Sequence, residues 1–477
     1  MERSFPQVIQ AISLDGNQIR IEGQLAASAR DVQLAQVGMW EDVTDLVGPR
    51  EMLPIEADGS GHFVKVIERT APDGADRLLS GWVLARRDGE RCEPVSAMHY
   101  IESETARAAL PAAPARPLKG LCGCPMDSPD VKELGVQSIT LNIVLNQLLF
   151  PTSAPGRTEY RYGDRTWYVA DRAVARYDRS LKLAADHGCM VSAIILLSPV
   201  RDSPADAWIR LAAHPDADPK AAYVMPNFTT RAGVQAYAAA MNFLAERYSR
   251  PDGKFGRIHH WILHNEISSG FYWTSAGDKT LLTYLDLYQK SLRLTCLIAR
   301  HYDPHTRPLI SLEHSWTHNP EKHGYPGREL LEQLVRFSRR EGDFEWGIAY
   351  HPYAQDLRNP RTWEDPQATF RFDTPFITFK NLEVLDAWVR QPRVSFQGHP
   401  RDVQLSEEGL NSRDYSEKAL QEEAAGLAYA WKKIVPLKTI SAFQYHRWSD
   451  ARAEGGLRLG LRKFSDEPGD PLGKKPA

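Results

Sequence analysis

The strongest constraint on the fold is an alternation, from Pro117 onward, of short apolar runs with segments of amphipathic helical periodicity. Residues 191–197 have the length and the branched apolar composition of an interior strand, and residues 173–185 before them carry apolar side chains at helical spacing. Such alternation is typical of βα units around a parallel sheet. Strand-like runs occur at residues 118–122, 138–144, 191–197, 261–266, 309–313, 346–350, 403–406 and 440–445. These eight runs predict a closed (β/α)8 TIM barrel.

The N-terminal part of the chain follows a different pattern. Residues 1–104 contain short alternating apolar and polar runs, separated by turn signals such as Asp15-Gly-Asn17. This predicts a small β-sandwich domain. Residues 105–117 are rich in Ala and Pro without alternation, as is typical of a linker. We therefore assign residues 118–465 to the barrel and residues 466–477 to a C-terminal tail, which makes the fold class α/β with a smaller N-terminal β-domain.

Composition restricts the partners of the protein. The chain has 477 residues, 42% hydrophobic and 25% charged, with a formal net charge of −3, which is ordinary for a soluble globular protein. Nothing in this balance favours nucleic acid, and no run approaches the length of a membrane span. The first residues lack the apolar core of a secretion signal, so we expect a cytoplasmic protein, or a secreted or periplasmic one if a signal was removed. No oligomeric state is predicted.

The cysteine and aromatic content bears on cofactors and substrate. Five cysteines show no repeated metal-ligand spacing, and Cys122-Gly-Cys124 alone does not supply the ligands of a zinc site. We therefore predict no cofactor and no metal. Twelve Trp and eighteen Tyr are compatible with a carbohydrate substrate, because flat aromatic faces pack against the apolar faces of sugar rings.

The fourth strand-like run is the first candidate for a functional site. Its polar residues, Asn265 and Glu266, collect at its C-terminal end, which is where active sites lie in a parallel barrel. A second carboxylate, Glu407, ends the seventh run. Glycosidic cleavage needs such a pair, one carboxyl protonated to assist the leaving oxygen and one ionised.

These residues form part of a pattern that resembles the clan A retaining glycoside hydrolases, the 4/7 superfamily. The matching motifs are Asn265-Glu266 on strand four, His351-Pro352-Tyr353 on strand six, Ser406-Glu407-Glu408-Gly409 on strand seven and Trp448 after strand eight. The resemblance implies that Glu266 is the acid/base, that Glu407 is the nucleophile and that Trp448 floors the subsite where the bond breaks. The chain also resembles an uncharacterised bacterial family with an N-terminal β-domain and a TIM barrel.

The nucleophile has a neighbouring alternative. Alternation along a strand sends Glu407 and Glu408 to opposite faces. The clan pattern places a glycine two residues after the nucleophile, and Gly409 therefore favours Glu407. Many clan members also carry an arginine on strand two that keeps the nucleophile ionised. Here that strand offers Asn142, and Arg447 is the candidate to supply the charge.

The remaining polar and aromatic residues near the strand ends are candidates for substrate binding. Asn265 is expected to hydrogen-bond the sugar 2-hydroxyl, with a turn-forming role as its alternative. Tyr353 or His351 is expected to orient the nucleophile. The tryptophans are candidates for stacking on sugar, and the alternative for each is ordinary core packing. The predicted substrate-binding residues are Asn265, Asn142, Trp273, His314, Trp316, His351, Tyr353, His446 and Trp448.

Two other functions remain open from the sequence. A metal-dependent barrel hydrolase would use His264, His314, His351 and His446, although the first strand has no His-x-His motif. A non-catalytic glycan-binding barrel would use the same aromatic residues without the two carboxylates. The pair of carboxylates makes a glycoside hydrolase the leading hypothesis.

Overall fold

The computed structural model describes residues 5–48, 50–72, 74–201 and 207–476. The strands within these ranges are β1 (Val8–Asp15), β2 (Gln18–Gln24), β3 (Gln33–Val37), β4 (Leu46–Val47), β5 (Met52–Pro54), β6 (His62–Glu68), β7 (Gly81–Asp88), β8 (Arg91–Pro94), β9 (Ser103–Glu104), β10 (Gly120–Leu121), β11 (Ser138–Val144), β12 (Leu149–Phe150), β13 (Arg157–Tyr162), β14 (Arg165–Ala170), β15 (Met190–Leu196), β16 (His260–Leu263), β17 (Arg307–Glu313), β18 (Gly347–His351), β19 (Val403–Glu408) and β20 (Ile440–Tyr445). The α-helices are α1 (Asp130–Glu133), α2 (Asp171–Asp186), α3 (Ile209–Ala212), α4 (Arg231–Tyr248), α5 (Gly270–Trp273), α6 (Leu281–Tyr302), α7 (Gly327–Arg340), α8 (Glu383–Val389) and α9 (Glu417–Ile434).

Eight parallel strands close into a barrel in the order β10-β11-β15-β16-β17-β18-β19-β20. Each corresponds to one of the apolar runs in the sequence, so the predicted TIM barrel with a smaller N-terminal β-domain is confirmed. The first strand is the weakest, since β10 pairs with β11 through a single residue pair. All barrel strands have their C-terminal ends at the same rim, which therefore receives the polar residues that follow each strand.

Burial on both faces explains why these strands read as continuous apolar runs. Every residue of β15 is buried, and so is every residue of β16. A separate apolar cluster from neighbouring strands lies inside the barrel and consists of Ile194, Leu196, Ile262, Leu309 and Ala349. Helices cover the outer face, as parallel sheets require.

Hydroxyl side chains cap the starts of three long helices, α4, α6 and α9. The Thr230 hydroxyl accepts from the Gly233 N–H at the start of α4. Thr280 and Ser416 cap α6 and α9 in the same way. Side-chain capping of this kind satisfies backbone donors that have no partner within the helix. Among the described residues, no helix combines the length and the apolarity needed to cross a membrane.

The N-terminal β-domain consists of a four-stranded sheet (β6-β2-β1-β9) and a five-stranded sheet (β4-β8-β7-β3-β5). It packs against the outer face of α6. The buried guanidinium of Arg293 lies 4.7 Å from the ring centroid of Tyr100 and 4.5 Å from that of Phe344, and it donates to the Gly342 carbonyl. This contact fixes the domain beside the barrel wall, away from the rim that carries the candidate site.

A third small sheet, β12-β14-β13, was not predicted. It lies in the connection between β11 and α2 and is built on a hairpin that turns at Gly163 and Asp164. Most residues of β13 are polar and none is fully buried, so its strand signal in the sequence is weaker than that of the barrel strands.

Candidate active site

Glu266 lies just beyond the fourth barrel strand and is held there by neighbouring elements. Its backbone is left-handed (φ 36°, ψ 61°), a conformation that costs a side-chain-bearing residue about 1–2 kcal/mol. The Glu266 N–H donates to Ser311 Oγ at 3.0 Å, and the hydroxyl of Thr274 donates to the Asn265 carbonyl at 2.7 Å. These contacts hold the strained turn, which directs the carboxyl group into the barrel mouth with 13% of the side chain exposed.

His351, from the sixth strand, links Glu266 to the seventh strand. Its Nδ1 lies 2.9 Å from Glu266 Oε1, and its Nε2 lies 3.1 Å from Ser406 Oγ. The ring is completely buried, and burial lowers the pKa of His351, which favours the neutral imidazole. A neutral ring has one donor nitrogen and one acceptor nitrogen, whereas a serine hydroxyl both donates and accepts. Both contacts are therefore satisfied whether Glu266 is protonated or ionised.

The environment of Glu266 favours its protonated form. Burial, followed by the negative charge of Glu313, raises its pKa to about 8, while His314 and His446 act in the opposite direction. A carboxyl group with this pKa holds a proton at neutral pH, as a general acid must.

Glu313 was not predicted as a site residue, although it ends the fifth strand. It pairs in register with His351, so it lies beside the contact between His351 and Glu266. One of its oxygens accepts from the backbone and the hydroxyl of Ser315, at 2.9 and 3.0 Å. The other is buried and, among the described residues, has no hydrogen-bond partner. Its position as the last residue of a strand was the only signal, and the sequence does not say which way the side chain points.

The seventh strand presents Glu407 at the mouth and encloses Glu408. The pairing of β19 with β20 is irregular between Leu405 and Glu408, as in a bulge, and such irregularities re-aim side chains next to sites. Glu407 is half-buried and accepts a hydrogen bond from the Tyr353 hydroxyl at 3.3 Å. One of its carboxylate oxygens also lies within 4.8 Å of a carboxyl oxygen of Glu266 and of a ring nitrogen of His351. Side chains from three strands thus converge on one point.

Glu408 has none of these features. It is fully buried, and neither carboxylate oxygen has a hydrogen-bond partner among the described residues. Burial and the charge of Glu407 raise its pKa well above the usual value, so the group is neutral in the folded protein. An enclosed, protonated carboxyl cannot attack a sugar.

Glu408→Gln is expected to leave activity close to wild type and to change the pH dependence of stability. The folded state holds the Glu408 proton more tightly than the unfolded chain, so this contribution is present below about pH 4.3 and declines as pH rises. A glutamine does not titrate, so as pH rises above about 4.3 the variant should gain stability relative to wild type, by up to about 1.4 kcal/mol per pH unit. Urea denaturation at several pH values, with activity assays, checks both parts. Loss of activity would instead make Glu408 a site residue.

Trp448 is held at the rim by an acidic anchor that the sequence did not reveal. Its indole N–H donates to Asp130 at 2.6 Å, and Asp130 also accepts two hydrogen bonds from Arg462. Chiefly because of the bond from Arg462, the pKa of Asp130 falls to about 2. The half-buried Trp448 ring is therefore fixed in orientation by an ionised carboxylate.

A pair of stacked aromatic residues extends the site on the side of the third and fourth barrel strands. Trp273 stacks on Tyr223 with ring centroids 6.2 Å apart. Burial raises the pKa of Tyr223, and the charge of Glu407 adds to the effect, which places Tyr223 near the seventh strand. Tyr223 was not predicted, because it lies in a long connection after β15 and carries no motif.

Trp316 does not line the site, which corrects its assignment to substrate binding. The side chain is 0% exposed, its indole N–H donates to the Phe372 carbonyl, and its ring packs edge-on against Trp388. The alternative of ordinary core packing therefore applies to this tryptophan. Its position three residues after β17 is close to the rim, but the chain turns the ring outward toward α8.

The other predicted residues occupy varied positions around the mouth. His314 Nδ1 lies 3.1 Å from the Tyr353 carbonyl oxygen, so it joins the group through the sixth strand. Asn142 is exposed on β11, two strands from β16. His446 lies within charge-interaction range of Glu407, whereas Arg447 donates to Glu454 at 2.7 Å. His446 is thus a second candidate, beside Arg447, for the charge next to Glu407.

The four-histidine metal site is not formed. His264 is fully buried, with one ring nitrogen 2.8 Å from the Ile195 carbonyl oxygen and the other 3.1 Å from Ser291 Oγ on α6. It therefore joins the barrel wall to a helix and faces away from the mouth. Within the described ranges, the acidic and imidazole groups close enough to share an ion are Glu266, His351 and Glu407.

The fold and this constellation define a (β/α)8 barrel protein with a paired carboxyl site at the C-terminal rim. The chain belongs to a family described as "Family of unknown function (DUF5722)", which matches residues 111–477. No curated protein matches the sequence.

The solved structures that are similar to this chain have low sequence identity to it. A family 39 glycoside hydrolase from the gut symbiont Bacteroides cellulosilyticus WH2 has 14% identity and a TM-score of 0.44, covering 96% of this chain and 79% of that one. A family 1 β-glucosidase from Thermotoga maritima has 13% identity and a TM-score of 0.40, covering 70% of this chain and 79% of that one. A β-glucuronidase from Ruminococcus gnavus has 11% identity and a TM-score of 0.39, covering 99% of this chain and 66% of that one. At these values, activity must be argued from the residues of this chain.

Proposed function

We propose that this protein is a retaining glycoside hydrolase that cleaves a glycosidic bond by double displacement. The observation that carries the proposal is the approach of the Glu266 and Glu407 carboxyl groups, within 4.8 Å, in two different environments. Retaining glycosidases hold their carboxyl groups about 5–5.5 Å apart, whereas inverting enzymes hold them about 6.5–9.5 Å apart to admit water. A closest approach below 5 Å favours retention.

In the first step, Glu407 attacks the anomeric carbon while Glu266 gives its proton to the leaving oxygen. The Tyr353 hydroxyl supports the attack by fixing Glu407 Oε1. Burial keeps the pKa of Tyr353 well above the usual value, so the phenol stays protonated and remains a donor. The products of this step are a glycosyl ester on Glu407 and the free leaving group.

In the second step, the now ionised Glu266 takes a proton from water, and the water oxygen attacks the anomeric carbon of the ester. The bond between that carbon and Glu407 breaks, which releases the sugar and restores both carboxyl groups. His351 keeps one tautomer through this change, because the proton that Glu266 transfers is carried on the carboxyl oxygen that does not contact the ring. While Glu266 is ionised, Nδ1–H donates to it and the Ser406 hydroxyl donates to Nε2. The carboxylate thereby keeps a hydrogen bond in both halves of the cycle.

The contacts that hold the sugar follow from the same arrangement. Asn265 donates to the sugar 2-hydroxyl, a bond that strengthens as the oxocarbenium-like transition state forms. Trp448 stacks under the sugar at the bond that breaks, and Trp273 with Tyr223 extends the aromatic surface. His314, His446 and Asn142 complete the polar lining.

The test of this function is hydrolysis of a panel of aryl glycosides and natural oligosaccharides by wild type and Glu266→Ala. We expect wild type to cleave at least one class and to release the sugar with its anomeric configuration retained, as followed by proton NMR during the first minutes. Release with inversion would reject double displacement. Failure to cleave any glycan would reject the enzyme.

Glu313→Gln is expected to lower the upper pH limit of activity. Glu266 donates a proton only in its protonated form, so activity is present below pH about 8 and is lost as pH rises through that value. A neutral side chain at position 313 removes a like charge, so the basic limb of the kcat/KM profile should move to lower pH. The measurement compares the kcat/KM pH profiles of wild type, Glu313→Gln and the exposed control Glu329→Gln, which should match wild type. If the limb stays in place, Glu313 does not set the protonation of Glu266.

A second candidate rests on the same three groups. The ligand atoms of Glu266, His351 and Glu407 are close enough to hold one metal ion, which would make the protein a metal-dependent hydrolase. Both nitrogens of His351 already have partners, so metal binding would have to break the contact with Glu266. Metal analysis of the purified protein and activity after chelation discriminate between the metal-dependent hydrolase and the retaining glycoside hydrolase.

Glycan binding without hydrolysis by wild type would support a non-catalytic glycan-binding protein.

A further inference from the structure

His446 is fixed against the strand that carries Glu407. Its backbone N–H donates to the Glu408 carbonyl at 2.7 Å. A Cβ on Gly409 would lie 1.9 Å from the His446 carbonyl oxygen, so the two strand ends approach as closely as they do only because position 409 is glycine. The position of the His446 ring relative to Glu407 is therefore set by backbone contacts.

The ring lies near two acidic groups. Its Nε2 is 3.3 Å from Glu454 Oε1, and its side chain is 17% exposed. Glu454 also accepts from Arg447 at 2.7 Å, and the bond with His446 is the main cause of the lowered pKa of Glu454, which keeps that carboxylate ionised. Glu407, on the neighbouring strand, also lies within charge-interaction range of the ring.

The charges that act on His446 come from each neighbouring element. Burial alone would lower its pKa, but the charge of Glu407 and the hydrogen bond and charge of Glu454 outweigh burial and the opposing charge of Arg447, so the pKa is raised. Glu266 and His351 also interact with it across the mouth. With His446 protonated, the four groups Glu407, His446, Glu454 and Arg447 carry no net charge.

We propose that His446 is a positioning residue, held as an imidazolium by Glu454, which supplies the positive charge beside the Glu407 carboxylate. This role rests on the proposed function, because it supplies a cation beside the nucleophile where the second strand, β11, carries no arginine. Arg447 acts one step away, by holding Glu454. The two carboxyl groups thus have neighbours of opposite charge: Glu266 has the acidic Glu313, and Glu407 has the cationic His446.

The direct test is the ring NMR signal of His446 in the full-length protein, assigned by its loss in His446→Gln and followed against pH. In wild type we expect a titration midpoint above the ordinary value of about 6.5. Glu407→Gln and Glu454→Gln should each lower this midpoint. A wild-type midpoint at or below the ordinary value, or one that moves in neither variant, would overturn the proposal. This readout does not depend on glycan cleavage, so failure of the proposed function and failure of this inference are distinguishable.

The kinetic test uses His446→Gln on the substrate that the panel identifies. We expect kcat to fall about 100-fold with a smaller change in KM, and the acid limb of the pH profile to move to higher pH because the carboxylate loses its cation. His399→Gln, an exposed histidine that precedes β19 at the opposite end of the barrel, is the matched control and should match wild type. A uniform loss of activity with an unmoved acid limb would assign His446 a structural role only.

Discussion

Glu407→Gly is expected to lower kcat by at least about 10⁴-fold, the scale seen when one member of a catalytic constellation is removed. The loss follows because the adjacent carboxyl, Glu408, is buried and protonated and cannot replace the nucleophile. Adding azide should restore turnover, since the small anion fits the space that the side chain vacates. Azide then attacks the substrate directly while Glu266 still protonates the leaving group.

The stereochemistry of the rescued product makes this result specific. A single displacement inverts the anomeric centre, so the glycosyl azide formed by Glu407→Gly should have inverted configuration. Glu408→Gln is the matched control, because it changes the adjacent carboxyl to an amide within the same strand. Wild-type rates in Glu407→Gly, or loss of activity in Glu408→Gln alone, would transfer the nucleophile role to Glu408.

The barrel was predictable because buried parallel strands have a plain sequence signature. Residues such as those of β15 are apolar on both faces, so they form continuous runs that stand out between amphipathic helices. The fourth strand ends at Leu263, earlier than predicted, because the next residues leave the sheet to form the turn that carries Glu266. The added hairpin β13–β14 has mixed polarity, and its Gly163-Asp164 turn was the one signal available.

The sequence was a weaker guide to side-chain direction. Position after a strand indicates height along the barrel axis, but it does not say whether a side chain turns into the mouth or out toward a helix. Trp316 was misassigned for this reason, and Glu313 and Tyr223 were missed. His446 and Arg447 show the same limit, since their positions in the sequence do not reveal that both side chains contact Glu454 Oε1.

The two central carboxyl groups illustrate how the fold divides their roles. Glu266 is surrounded by protein and has an acidic neighbour, so its pKa is raised to about 8. Glu407 is partly open to solvent, receives a hydrogen bond from a phenol and faces a histidine whose pKa is raised. The raised pKa of Glu266 favours it as the acid, and we therefore infer that Glu407 is the nucleophile.

Glu266→Ala is expected to lower kcat on unactivated glycosides by about 10²–10⁴-fold, the usual contribution of a general acid. The effect should be smaller on aryl glycosides with good leaving groups, because a stable phenolate departs without a proton. Glu407 then still forms the glycosyl ester, but the variant lacks the base that activates water. A burst of phenolate followed by slow turnover should therefore appear in rapid-mixing experiments.

Azide rescue of this variant should give the opposite stereochemistry from rescue of Glu407→Gly. Azide needs no base, so it attacks the accumulated ester, and two successive inversions yield a glycosyl azide of retained configuration. Glu266→Gln is the matched control: it preserves a contact with His351, cannot transfer a proton and leaves no space for azide, so it should be inactive and not rescued. Inverted azide products from both Glu266→Ala and Glu407→Gly would contradict the assigned roles, because the two carboxyls act at different steps of one double displacement.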